Sequence, residues 1–178
     1  YRFWFGQWLP DWRPTVDYRQ TYSARADLGG GVLLDAIHEL DLALWVAGPD
    51  LSVVGATVAR LGPLEIDVED TVRALLTTPD GVPVSIELDY LARQYRRGIE
   101  VIGDAATIRY DWATGDLTVS DGDGTTTEHF DTPVADSYVA EMAEFLSTPA
   151  APTNTAAGAL ASLRLAESIR AAALVGAA

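Results

Sequence analysis

The sequence predicts an α+β domain: an open, mostly antiparallel β-sheet with helices packed on one face. Three observations predict it. A helix-forming block is followed by a series of short β-rich runs and then by helix-forming sequence again, without the strand–helix alternation that builds a parallel sheet. Tight turn dipeptides separate several of the β-rich runs (Asp80-Gly81, Gly103-Asp104, Thr114-Gly115, Asp121-Gly122) and are far too short for parallel crossovers. Residues 82–90 alternate, with Val82, Val84, Ile86, Leu88 and Tyr90 on one face and largely polar residues on the other, so one face of the sheet lies against a core.

The elements follow in order. Residues 1–28 hold Trp4, Trp8 and Trp12, and Pro10 and Pro14 interrupt regular structure, so the segment reads as an aromatic arm, extended or looped. A linker would be polar. Gly29-Gly30-Gly31 opens and Gly48-Pro49 closes a helix over 32–47, apolar on nearly every side and therefore buried. The sheet occupies 51–130, with strands at 53–61, 70–78, 82–90, 97–102, 106–112, 116–120 and 125–130. Residues 136–176 return to helix: one over 136–146 after Pro133, and a long Ala-rich one capped by Asn154 or Thr155 and reaching Val175.

Composition narrows the function. The 178 residues fit one domain, and all 12 basic side chains are Arg against 26 Asp and Glu, for a net charge of −14. Such a field opposes nucleic acid and anionic lipid, so neither is expected as a partner. No run approaches the roughly 20 apolar residues of a spanning helix. Without Cys there is no thiol nucleophile or thiolate metal site, and the count fits a reducing cytoplasm, where the protein is expected. Without Lys, Schiff-base chemistry and the P-loop lysine are excluded within this chain. The chain opens at Tyr1 without an initiator Met, which we read as a cut inside a longer protein.

Candidate chemistry sits on the first helix. Asp35, His38 and Asp41 recur at three-residue intervals along one stripe of an apolar cylinder. Burying two carboxylates and an imidazole costs several kcal/mol unless they pair or face a solvent-filled cleft. Two readings stand. In one, an Asp fixes the histidine tautomer and the other ring nitrogen exchanges a proton with a substrate hydroxyl. In the other, the carboxylates cap or pair elsewhere and His38 is a satisfied core histidine. A metal is not expected, because Asp-x-x-His needs a second such helix and the other histidine, His129, lies in a strand.

The triple glycine either holds an anion at the helix start or lets backbones pack closely, and close packing is the favoured reading. No Gly-x-Gly-x-x-Gly occurs, so the dinucleotide fingerprint is absent. In the arm, Trp12-Arg13-Pro14 and Asp17-Tyr18-Arg19 alternate rings with guanidinium groups. They either grip an anionic or sugar-like substrate or dock the arm on its own domain. Arg96-Arg97 reads as a solvated strand end, and 121–127 as a polar hairpin.

The stretch Gly29-Gly30-Gly31-Val32-Leu33-Leu34-Asp35-Ala36-Ile37-His38-Glu39-Leu40-Asp41, ending Leu44-Trp45-Val46-Ala47-Gly48, resembles the C-terminal domain of the Gfo/Idh/MocA oxidoreductases, the family of glucose-fructose oxidoreductase and inositol dehydrogenase. The likeness continues through Val68-Glu69-Asp70, Asp80-Gly81, Ile99-Glu100-Val101-Ile102-Gly103 and the closing helix. Here Asp35 and His38 stand closer in sequence than in many members, and the glycine usual near Ala106 is absent.

The resemblance implies a GAPDH-like C-terminal fold and one half of an enzyme. NAD or NADP would be bound mainly by an N-terminal Rossmann domain that this chain lacks, and that domain would also supply a lysine from a Glu-Lys-Pro motif. His38 would carry the proton with Asp35 as its partner. Trp12, Arg13, Tyr18, Arg19 and Asp41 would contact a sugar, cyclitol or sugar-nucleotide substrate. The sheet would pair subunits as a homodimer or higher oligomer, and the isolated domain would be inactive. The alternative is a non-catalytic binding or dimerisation module diverged from this family.

Overall fold

The computed structural model describes residues 1–131, 133–147 and 155–175. Its frame is one eight-stranded sheet made of β1 (Arg2–Gly6), β2 (Ser52–Ala59), β3 (Thr71–Thr77), β4 (Pro83–Asp89), β5 (Arg96–Ile102), β6 (Ala106–Asp111), β7 (Asp116–Asp121) and β8 (Gly124–His129), in the order β2-β3-β4-β1-β5-β6-β7-β8. All neighbours are antiparallel except β1 and β4. The strands expected between residues 51 and 130 are all present, and 121–127 is the expected hairpin between β7 and β8.

The aromatic arm is where expectation and structure part. Its first residues are not a loop but β1, inserted centrally between β4 and β5, with Phe3 opposite Ile86 on one side and Ile99 on the other. Pro10 and Pro14 lie beyond Gly6 and so break nothing in the strand. Phe3 is 0% exposed and Phe5 4% on the helix-covered face. Trp4, on the opposite face, lies over Gly98, where a β-carbon would collide with its ring. The guanidinium groups of Arg2 and Arg109 cover that ring, 5.5 and 5.2 Å from its centroid. The rest of the arm forms α1 (Leu9–Trp12) and three 3₁₀ turns between Tyr18 and Leu28.

The expected helix over 32–47 is broken at Ala36 (φ −100°, ψ 28°) into α2 (Val32–Asp35) and α3 (Ile37–Ala47). Propensity favours continuity at alanine, so the break has a tertiary cause. The Val32 and Leu33 N–H groups donate to the backbone and side chain of Glu69, at 3.1 and 3.3 Å, fixing the direction of α2 independently of α3. Nor is the segment buried all round, for Trp45 is 75% exposed. The glycines before it serve close approach: a β-carbon on Gly30 would strike the Tyr22 carbonyl, and Gly31, at φ +108°, lies against the Glu69 carboxylate.

The other helices are α4 (Val134–Ser147) and α5 (Ala156–Val175). Thr155 caps α5, its Oγ1 accepting from the Gly158 N–H at 3.1 Å; Asn154 and residue 176 lie outside the described residues. Helices α2, α3 and α5 pack over β1–β4, where Phe3, Val72, Leu76, Ile86 and Leu88 meet Val32, Leu33, Leu40 and Ile169 in one core. No helix among the described residues is long and apolar enough to cross a membrane.

The face of the sheet away from these helices carries an ion-pair network of Arg2, Glu87, Arg73, Asp89 and Arg96. Asp89 accepts from Arg96 at 2.6 Å, from Arg73 at 3.1 Å and from the Ala92 N–H at 2.9 Å. Burial alone raises its pKa, but the two guanidinium groups and the N–H outweigh it and hold the carboxyl below the usual aspartate value. A depressed folded-state pKa contributes stability that is complete above the unfolded value of ~3.9 and is lost as pH falls through the folded one. Asp89→Asn therefore leaves the protein less stable at neutral pH, with the deficit shrinking below about pH 4. Urea midpoints measured from acid to neutral pH check this, and a constant deficit contradicts it.

Candidate functional site

The end of β1 and the start of β5 lie side by side, with Phe5 opposite Arg97. Helix α3 crosses above them and sets His38 edge-on to Phe5, with ring centroids 5.7 Å apart and planes at 86°. Phe5 also meets Trp12 at 5.4 Å and Tyr95 at 6.2 Å, and Trp12 meets Tyr90 at 5.7 Å. The imidazole, 42% exposed, thus stands in a wall of aromatic rings. It lines a cleft of ≈ 490 Å³ with Asp41, Trp45, Arg97 and Thr155. Beside it lies a charged pair: Glu39, 0% exposed, with Arg97 Nε 2.5 Å and His38 Nε2 3.1 Å from Glu39 Oε1. Arg97 also lies over Trp112, 4.8 Å from its centroid. Burial pushes the Tyr95 hydroxyl above its ordinary pKa against the pull of Arg97, so at neutral pH it is a hydrogen-bond donor.

The expected partnership of Asp35 with His38 is not what the structure builds. Asp35 ends α2, across the break at Ala36, and accepts from the Tyr90 hydroxyl at 2.6 Å. Burial first, then the charge of Asp35, raises the Tyr90 pKa far above the ordinary tyrosine value, so this donor persists at any physiological pH. Asp41 accepts from Ser162 Oγ at 2.9 Å, tying α3 to α5, while still lining the cleft.

The arm divides. Trp12 joins the rings at His38 through Phe5. Arg13 donates to Tyr22 Oη at 3.0 Å and Ser23 Oγ at 3.4 Å and lies over the Trp12 and Tyr22 rings, which is the docking role rather than an open anion grip. Arg19 is paired with Asp17 at 2.9 Å and Glu65 at 3.3 Å, which raise its pKa, and Tyr18 Oη accepts from the Glu65 N–H. Arg19 lines a different cavity, of ≈ 580 Å³, with Arg25, Arg60 and Glu65.

Two residues were not legible as site residues. The sequence pattern gives Glu39 no role, and Arg96-Arg97 reads as a solvated strand end; instead Arg96 binds Asp89 and Arg97 reaches Glu39. The available signal was a glutamate between His38 and Leu40 in a run too apolar to leave it in water. Among the described residues, no three His, Asp or Glu side chains converge to hold a metal ion. They also build no dinucleotide loop: the sheet has a single parallel pair, and no Gly-x-Gly-x-x-Gly joins strand to helix.

No curated protein matches the chain in sequence. Solved structures do resemble it. Levoglucosan dehydrogenase in complex with NADH and levoglucosan superposes with a TM-score of 0.80 at 19% identity, over 98% of this chain and 56% of that one. An oxidoreductase from Agrobacterium radiobacter in complex with NAD+, L-tartaric acid and magnesium gives 0.74 at 22% identity, over 98% and 54%. A UDP-N-acetylglucosamine 3-dehydrogenase from Acidithiobacillus ferrooxidans gives 0.74 at 18%, over 96% and 52%. At these identities the likeness is one of fold, and this chain spans about half the length of the structures it matches. A family model of the GFO/IDH/MocA C-terminal domain matches residues 1–109, more than half of the chain. Sequence match and fold together place this chain in the GFO/IDH/MocA family, as a C-terminal domain with the GAPDH-like architecture expected of it.

Proposed function

We propose that this chain is the substrate-binding and subunit-pairing domain of an NAD(P)-dependent oxidoreductase that moves a hydride between nicotinamide and a hydroxyl-bearing carbon of a sugar, cyclitol or sugar nucleotide. The observation that carries the reading is the half-exposed His38 imidazole, held by Phe5 beside an open cleft in a domain of this family. NAD or NADP belongs to the other half of the protein, because the residues described here offer it no loop. When bound, the nicotinamide supplies the hydride acceptor or donor. His38 takes the proton from the substrate hydroxyl as its carbon is oxidised and returns it when the carbonyl is reduced.

The exposed rings of Trp45 and Tyr95 and the half-buried Trp12, packed on Phe5, offer apolar surface to the C–H face of a sugar, and the Tyr95 hydroxyl, Asp41 and Arg97 offer polar contacts. Arg13, Tyr18 and Arg19, already satisfied within the fold, hold the arm in place. The sheet face away from the helices, with Trp4, the Arg2–Glu87–Arg73 row and the half-exposed Leu75, pairs two copies isologously.

The test uses the complete protein with NAD+ and NADP+ and a panel of sugars, cyclitols and sugar nucleotides, following nicotinamide absorbance. Turnover of at least one class is expected. Sugar binding without turnover of any contradicts the proposal and favours a binding module.

A further inference from the structure

We infer that Glu39 is the carboxylate that positions the His38 imidazole, by holding its Nε2–H and leaving Nδ1 free for the substrate; the inference rests on the proposed role of His38 as proton carrier. Glu39 is completely buried, and neither of its carboxylate oxygens has a well-directed hydrogen bond. Oε1 lies 3.1 Å from His38 Nε2 and 2.5 Å from Arg97 Nε, but neither N–H points along its contact. A buried carboxylate left this way is costly, and native proteins satisfy nearly all such groups. Hydrogen bonds that are poorly aligned without substrate commonly tighten once it is bound.

The geometry comes from the break at Ala36. Adjacent residues on a helix ordinarily do not face each other, but His38 and Glu39 lie in the first turn of α3, where the Glu39 N–H donates to the Ala36 carbonyl at 3.0 Å. The same break carries Asp35 away to Tyr90. A neutral imidazole has one N–H and one lone pair, and the partner of one nitrogen decides which end is which. A carboxylate at Nε2 selects the tautomer whose Nδ1 lone pair can take a hydroxyl proton. Once the ring is doubly protonated, the same carboxylate lies next to its positive charge. Arg97 balances Glu39 from the other side, with Tyr95 beside it. Glu39 is thus a positioning residue, acting through His38.

The experiment reads the tautomer directly, from the ring-nitrogen NMR signals of selectively labelled His38 in the complete protein. The expected result is a single tautomer with the proton on Nε2. Glu39→Met mixes the tautomers, and so does Glu39→Met combined with Arg97→Met, which avoids stranding a lone guanidinium should the single variant fail to fold. In Glu39→Met kcat falls by roughly 10- to 100-fold, as for outer groups that orient a metal-bound histidine, while KM changes little; the double variant is read by the tautomer alone, because Arg97 itself lines the cleft. A mixed tautomer in the unaltered protein, or one indifferent to Glu39 but sensitive to Asp35→Asn, overturns the inference. Because the tautomer is read without turnover, an Nε2–H form that depends on Glu39 upholds the inference even if loss of His38 leaves turnover intact. That second result would overturn only the proton-carrier reading.

Discussion

His38→Ala in the complete enzyme is expected to lower kcat by about 10²–10⁴, the range of a positioned acid or base, with little loss of stability. The two halves of this expectation have separate grounds. His38 is 42% exposed and meets the core edge-on at Phe5, so its removal opens no sealed cavity. The proton it moves is transferred in the transition state, so kcat and kcat/KM should fall together while KM stays near its original value. Steady-state kinetics paired with thermal melting separate this from unfolding. Unchanged turnover would mean that His38 is a satisfied surface histidine and that the domain binds without catalysing.

The largest structural effect is expected at the chain's start. Phe3→Ala should destabilise the domain by about 3–5 kcal/mol, the usual cost of truncating a buried aromatic. Phe3 is 0% exposed and lies between Ile86 and Ile99 in the middle of the sheet. Against a total stability of about 5–15 kcal/mol for a domain, that is a large fraction. A loose aromatic arm would lose under about 1 kcal/mol at the same position. Urea unfolding with an unchanged m-value decides between them, with Val16→Ala, at a 48% exposed site, as the control expected to move little.

What the sequence revealed and what it concealed divide along sequence separation. The strands from β2 to β8 were legible because alternation and turn chemistry act over neighbours, and 82–90 shows both. Strand β1 was not, because its five residues gain strand character only by pairing with β4 and β5, about 80 to 100 positions later. The break at Ala36 was hidden for a similar reason: it follows from hydrogen bonds to Glu69, while local propensity argues for continuity.

At the site, the stripe of Asp35, His38 and Asp41 was visible as polar residues in an apolar run. The partners were not visible, since Tyr90 lies 55 residues from Asp35 and Arg97 reaches Glu39 from a different strand. A three-residue spacing predicts one continuous face only if the helix is continuous, and here it is not. The arm's guanidinium groups misled in the opposite sense: their anion-binding look was spent on Asp17, Glu65 and Tyr22.

The most direct test of the account is a crystal structure of the complete protein with reduced nicotinamide cofactor and a substrate it turns over. The reacting oxygen should lie about 3 Å from His38 Nδ1, with the sugar against Trp12 and Tyr95. A substrate seated elsewhere, in the cavity of Arg19, Arg25 and Arg60 for example, with His38 out of hydrogen-bond reach, would contradict it.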